Sequence, residues 1–198
     1  MVQKIAIIGS TGTLGRLALD VIEKNPGRFK IVGLATFQNA ELLAEQAESA
    51  LGEHTHVPFL TALHQGDSWE KFVEECGADR IFFASSGVTA LPALFKAIAL
   101  KKNIALANKE LLVVAGEEIM TRARGNGVQI IPVDSEHSGI FQCLQGEKME
   151  DVEKVTLTCS GGPFRGKTRA ELEHVTAEEA LNHPSWNMGK EISIDSAT

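Results

Sequence analysis

Short, almost wholly apolar runs alternate along the chain with longer stretches in which apolar residues recur every three or four positions. The runs Lys4–Ile8, Lys30–Ala35, Arg80–Ala84, Ile104–Ala107 and Val128–Val133 are bounded by glycine, proline or polar residues. Strands covered on both faces of a parallel sheet have this pattern. After the first run, Leu14, Leu17, Ala18, Val21 and Ile22 fall at i, i+3, i+4, i+7 and i+8, and Asn25-Pro26-Gly27 ends the helix they predict. Trp69, Phe72, Val73 and Cys76 repeat the spacing, as do Leu91, Leu94, Phe95 and Ile98. Strands separated by amphipathic helices are βαβ units, and their right-handed crossovers wind helices onto both faces of one sheet. The expected class is α/β, a doubly wound parallel sheet over residues 1–148.

The rhythm changes after Leu144. Gln145–Val152 is polar and charged, which puts a boundary near 145–153. Beyond it, Val155–Cys159 has the pattern of a half-exposed strand and Ser160-Gly161-Gly162-Pro163 that of a turn. Thr176-Ala177-Glu178-Glu179 is a capping box that opens a short helix, and Glu191–Asp195 predicts a last strand. Residues 149–198 are too few to bury a convincing core, so they are expected to be part of a second, α+β domain.

Composition narrows the partners. The 198 residues carry a net charge of −7, with 43% hydrophobic and 23% charged residues, unlike a disordered chain. The longest apolar stretches fall far short of the roughly 20 residues of a membrane span. The acidic balance, with no clustered Lys/Arg stripe, argues against nucleic acid as a partner. Cys76, Cys143 and Cys159 are odd in number and form no CxxC, which speaks for a reducing compartment. Met1–Lys4 runs straight into the first strand with no signal-peptide pattern, so the expected location is cytoplasmic.

Gly9-Ser10-Thr11-Gly12-Thr13-Leu14-Gly15 joins the first strand to the first helix. Such a turn brings backbone close to a pyrophosphate at a helix N-terminus, so it predicts a dinucleotide site or, failing that, a tight structural turn. The second strand ends Leu34-Ala35-Thr36-Phe37-Gln38-Asn39 without the acid that would bind an NAD ribose, which favours NADP. Asn39 is a cofactor contact or the N-cap of a helix over Ala40–Ala50. Asp134 and Glu136, two apart after the fifth strand, would point to one side of an extended chain. As oxygen donors they suit Mg²⁺ or Mn²⁺; alternatively they are solvated turn acids. His137 is a base, a ligand or a structural residue. Lys109, in Asn108-Lys109-Glu110, is a candidate for a carbonyl or phosphate contact or a helix-surface residue. Ser160-Gly161-Gly162 is a phosphate cradle or a hairpin turn. His183-Pro184-Ser185-Trp186-Asn187-Met188-Gly189 is a substrate flap or a packing loop.

In their order, these segments resemble the 1-deoxy-D-xylulose 5-phosphate reductoisomerase family. The resemblance rests on Gly9 to Gly15, Leu106-Ala107-Asn108-Lys109-Glu110, Pro132 to His137 with Ile140-Phe141-Gln142-Cys143-Leu144, and Ser160 to Phe164. It continues through His183-Pro184-x-Trp186-x-Met188-Gly189 into Ile192-Ser193-x-Asp195-Ser196-Ala197-Thr198. It implies a Rossmann-like NADPH domain, with Gly9, Ser10, Thr11, Gly12, Thr13, Leu14 and Asn39 at the cofactor and Asn108 and Glu110 near its nicotinamide end. Asp134 and Glu136 would hold a divalent metal (Mg²⁺, Mn²⁺ or Co²⁺), and with Lys109 would be catalytic. Lys109, Ser135, Ser160, His183, Trp186 and Ser196 would bind a small sugar phosphate. The family rearranges and reduces that ketose phosphate with NADPH, in the non-mevalonate isoprenoid pathway, as a homodimer. Its pattern continues past the residue matching Thr198 with a further metal-binding Glu, so these 198 residues are expected to be an N-terminal portion with little activity of their own. Phe37-Gln38 replaces the small-basic or small-polar pair common near the 2′-phosphate, and Glu191 stands where a basic residue is common.

Overall fold

The computed structural model describes residues 2–25, 27–49, 60–62, 68–157, 161–185, 187 and 193. The chain forms two compact units, Met1–Phe141 and Gln142–Thr198.

The first unit is a six-stranded sheet. Its strands are β1 (Gln3–Ile8), β2 (Phe29–Thr36), β3 (Leu60–Ala62), β4 (Arg80–Phe83), β5 (Asn103–Leu106) and β6 (Ile130–Pro132). All pairings are parallel, in the order β3-β2-β1-β4-β5-β6. The five strands expected from the apolar runs are present within two residues of their predicted ends, and β3 is a sixth. Both edge strands have three residues, and β6 ends in a proline.

Alternation along the strands explains the two layers. Ile5, Ile7, Ile31, Leu34 and Phe82 face α1 (Thr13–Glu23) and α2 (Ala40–Ser49), meeting Ala18, Leu19, Ile22 and Leu43. Ala6, Ile8, Val32, Ile81, Phe83, Ile104 and Leu106 face the opposite way. They pack on α3 (Trp69–Glu75), α4 (Leu91–Ala99) and α5 (Glu110–Asn126) through Phe72, Leu94, Ile98, Leu111 and Ile119. Fully burying each such side chain contributes about 1.5–3 kcal/mol, so the sheet is the rigid platform on which its carboxyl-end turns stand. Helix α6 (Ser135–Cys143) follows β6 directly.

In the second unit the described elements are a 3₁₀ turn at Met149–Asp151, α7 (Arg169–Leu172) and α8 (Ala177–Leu181). The capping box expected at Thr176 is formed: Thr176 Oγ1 accepts from the Glu179 amide at 3.2 Å, and the Thr176 amide donates to the Glu179 carboxylate at 2.8 Å. Thr168 and Glu171 form a second one, carried by the same Thr-x-x-Glu signature. The strand expected over Val155–Cys159 is not formed across its described residues, 155–157, where Val155 and Leu157 are exposed. A strand exists only through pairing, and none is made there. The remainder of that segment and the strand expected at Glu191–Asp195 fall outside the described residues, apart from Ser193, which is helical and buried.

Candidate active site

The strand order reverses at β1 and β4, and the turns after these two strands meet at the carboxyl edge. Gly9 has φ +90°, and a Cβ there would lie 2.5 Å from the Ser85 amide nitrogen, so no side chain fits where the two turns touch. A Cβ on Gly15 would run into the Gly9 carbonyl oxygen and lie 2.5 Å from Ser10 Cα, so α1 can approach the turn so closely only with glycine there. The Gly9 and Ser10 amides both donate to the Ala35 carbonyl, at 2.8 and 3.1 Å. Thr11 Oγ1 and Thr36 Oγ1 are 2.6 Å apart, and Gln46 Nε2 of α2 donates to the buried Ser10 carbonyl at 2.8 Å. The turn is thus braced from β2 and α2. Its outer side is open: Gly12, Thr13 and Leu14 are exposed, and no side chain caps α1. The first-turn amides, whose carbonyl partners a helix does not supply, point outward with the positive end of its dipole. An anion of pyrophosphate type fits this cradle. Ser10 is fully buried and its backbone is spent on bracing.

Asn108 and Glu110 lie where β5 passes into α5, and both reach the turn after β4. Asn108 Nδ2 donates to the Gly87 carbonyl at 2.8 Å, and the Gly87 amide donates to Glu110 Oε1 at 3.3 Å. The buried Asn108 Oδ1 has no hydrogen-bond partner among the described residues. Expected at the nicotinamide end of the cofactor, the two side chains shape the turn beside Gly9. Asn39 Oδ1 accepts from the Leu42 amide at 3.1 Å, the capping bond expected of it at the start of α2.

Lys109 points towards β6. Its Nζ lies 3.3 Å from Asp134 Oδ2, and His137 Nδ1 lies 2.8 Å from Asp134 Oδ1. A carboxylate only accepts, so His137 carries its proton on Nδ1 in this contact. Burial works to raise the Asp134 pKa, but the His137 hydrogen bond and the Lys109 charge outweigh it and hold the group below the ordinary aspartate range. Asp134 is therefore an ionised donor at neutral pH. Glu136 does not stand on an extended chain with it, as the two-residue spacing predicted. Ser135 begins α6, the Ser138 amide bonds the Asp134 carbonyl at 2.8 Å, and Ser135 Oγ donates to Glu136 Oε2 at 2.6 Å. The chain is already helical at Ser135, and the Asp134 carbonyl accepts the first helical bond while its carboxylate meets Lys109 and His137.

The donor chemistry of Asp134 and Glu136, hard and anionic, fits Mg²⁺ or Mn²⁺. Among the described residues no three His, Cys, Asp or Glu side chains converge on one point. In the second unit His183 is buried, and its Nδ1 accepts from the Ser185 amide at 3.1 Å, which places the ring proton on Nε2. Ser160, Trp186 and Ser196 lie outside the described residues. Sequence reasoning missed Gln46 and the Gly87 turn. Gln46 carries no local signal, whereas Ser85-Ser86-Gly87 directly after a strand end marks a ligand-facing turn of this class of sheet. No described helix is long and apolar enough to cross a membrane.

Comparison with known proteins agrees with this fold. The family model of 1-deoxy-D-xylulose 5-phosphate reductoisomerase matches residues 5–116, and the model of that enzyme's C-terminal domain matches residues 130–198. The reductoisomerase of Geobacillus kaustophilus is 47% identical over 208 residues, covering 98% of this chain and 54% of its own length. That of Chlamydia trachomatis serovar D is 43% identical, covering 99% and 55%. Among solved structures, the Zymomonas mobilis reductoisomerase in complex with NADPH matches with a TM-score of 0.83 at 32% identity, over 100% of this chain and 54% of that one. A reductoisomerase complex with NADPH, fosmidomycin and magnesium matches at 0.77 and 30% identity, over 99% and 54%. The chain spans about half the length of the curated relatives it matches. With a family model covering more than half of its residues, on a parallel sheet whose carboxyl edge carries the glycine turn and Asn108-Lys109-Glu110 on either side of the turn after β4, the chain belongs to the 1-deoxy-D-xylulose 5-phosphate reductoisomerase family.

Proposed function

We propose that the chain carries the NADPH-binding part, with part of the metal and substrate machinery, of an enzyme converting 1-deoxy-D-xylulose 5-phosphate into 2-C-methyl-D-erythritol 4-phosphate. The observation that carries this reading is the uncapped N-terminus of α1 at the strand-order switch, in one row with Lys109 and Asp134. The amides of Thr13, Leu14 and Gly15 would hold the pyrophosphate, with Gly9 to Gly12 allowing close approach. No acid stands at the end of β2 or in Phe37-Gln38-Asn39 after it to repel a 2′-phosphate, which favours NADPH over NADH. Asn108 and Glu110 hold the Gly87 turn on which the far end of the cofactor would lie. Asp134 and Glu136 would hold Mg²⁺, Mn²⁺ or Co²⁺, and Lys109 would reach the sugar phosphate. A divalent cation supplies Lewis-acid stabilisation of developing oxyanions. In the second unit Ser160, His183, Trp186 and Ser196 are the candidate contacts to substrate, Ser135 being a further one beside Glu136. The full enzyme is expected to be cytoplasmic and homodimeric.

Titrating the chain with NADPH and following its fluorescence and thermal unfolding tests this reading. At NADPH one hundred times Kd, binding stabilises the fold by about 2.7 kcal/mol. A melting curve that ignores saturating NADPH overturns the proposal. A second reading, a non-catalytic NADPH-binding module, is favoured by the absence of a three-ligand cluster among the described residues. On that reading, NADPH stabilises the chain but is not consumed when substrate and Mn²⁺ are added. Rapid substrate-dependent loss of NADPH absorbance removes it.

A further inference from the structure

The contact between Lys109 and Asp134 sets a cation where a metal ligand is expected. We propose that the Lys109 ammonium and the divalent cation compete for Asp134, so that Lys109 keeps the carboxylate compensated until the metal arrives and is then released towards the substrate. The inference rests on the metal reading above.

Three observations support it. The Asp134 side chain is only 16% exposed, and a carboxylate so placed is costly without a compensating charge. Both of its oxygens are engaged, Oδ2 by Lys109 Nζ at 3.3 Å and Oδ1 by His137 Nδ1 at 2.8 Å. A divalent ion taking either oxygen sets its charges against the ammonium within a few ångströms, where like charges repel strongly. Of the two partners, Lys109 is the one built to yield. It sits at the N-terminus of α5 on a flexible four-carbon stem with a 37% exposed side chain, so an ammonium in this place can exchange partners by rotation of its own side chain. His137 is tied to Asp134 within one helical turn. Competition of this kind is reciprocal: what weakens the lysine contact strengthens metal binding, and the metal frees the lysine. Lys109 would thus be both counter-ion to the empty site and substrate contact in the loaded one, with the metal selecting between the two.

Mn²⁺ titrations of the full chain, with free Mn²⁺ read by electron paramagnetic resonance, decide the matter. Lys109→Met keeps the stem and removes the charge, and is expected to bind Mn²⁺ about fivefold tighter than the unmodified chain. Lys109→Arg keeps the charge and is expected to bind no tighter. Lys96→Met, which removes an equal charge from the exposed pair with Glu74, is the control for net charge and is expected to change nothing. Asp134→Asn is expected to abolish binding. In the unmodified chain, Mg²⁺ is expected to raise the labelling of Lys109 by an amine-reactive reagent severalfold relative to Lys96, read by peptide mass spectrometry. Equal Mn²⁺ affinity for Lys109→Met and the unmodified chain, with binding still lost in Asp134→Asn, overturns the competition and leaves the metal site standing. Mn²⁺ binding that is indifferent to Asp134→Asn, or absent from every variant, overturns the metal reading and the inference with it.

Discussion

The turn after β1 is held by uncharged bonds: backbone amides on Ala35, a threonine pair and the Gln46 amide on a buried carbonyl. The turn after β6 is held by charge, with Asp134 between Lys109 and His137. Both stand at the carboxyl edge of one sheet, yet they should answer differently to perturbation. A site made of backbone is fixed before its ligand arrives and is blind to salt and pH. A site built on an ion pair can be rearranged by an incoming ion, and solvent conditions reach it.

The strongest way to break the first turn is Gly15→Val. The new side chain has only backbone to displace, so a loss of about 3 kcal/mol is expected, with NADPH affinity falling more than about tenfold. For a chain of this size, that lowers Tm by about 6–12 °C in a thermal melt. Gln46→Met is milder. It leaves the Ser10 carbonyl buried without its donor, at about 1–2 kcal/mol, and NADPH fluorescence titration should show weaker binding although residue 46 lies behind the turn.

Asp134→Asn probes the second turn, at about 1 kcal/mol in low salt. Raising the salt to about 1 M shortens the Debye length from about 10 to about 3 Å and should shrink that difference, while the Gly15→Val difference persists. Acid gives the sign independently. The Asp134 pKa is lower in the folded chain than its ordinary value of 3.8, so its contribution is complete above that value and is lost as pH falls below it. Denaturant melts of the unmodified chain and of Asp134→Asn should therefore converge at the acid end. The smallest effect expected is from Thr36→Val, about 0.5–1 kcal/mol for the hydroxyl pair with Thr11, read as a shift in denaturant midpoint at constant slope.

The sheet and the glycine turn were legible because period and punctuation are local properties. Ile5 to Ile8 are apolar on both faces, and Gly9 follows at once. Strand β3 was not, since three residues make no period and Pro58, His54, His56 and His64 punctuate the mixed apolar and polar stretch around it. At Asp134 the residue types were legible and the geometry was not. Spacing of two implies one side of a strand, but α6 begins at Ser135, and one partner of Asp134, Lys109, stands 25 positions earlier in the chain. The grip of Asn108 and Glu110 on Gly87 spans more than twenty residues, beyond the reach of any local pattern.

The two ends of the sheet have a consequence for solubility. Among the described residues each outermost strand is three residues long, and one finishes in Pro132, which has no amide proton to offer. A flat, lengthy margin would be a template for foreign chains and for fibril growth; margins this short, one of them ending in an imino acid, give an approaching segment little to zip against.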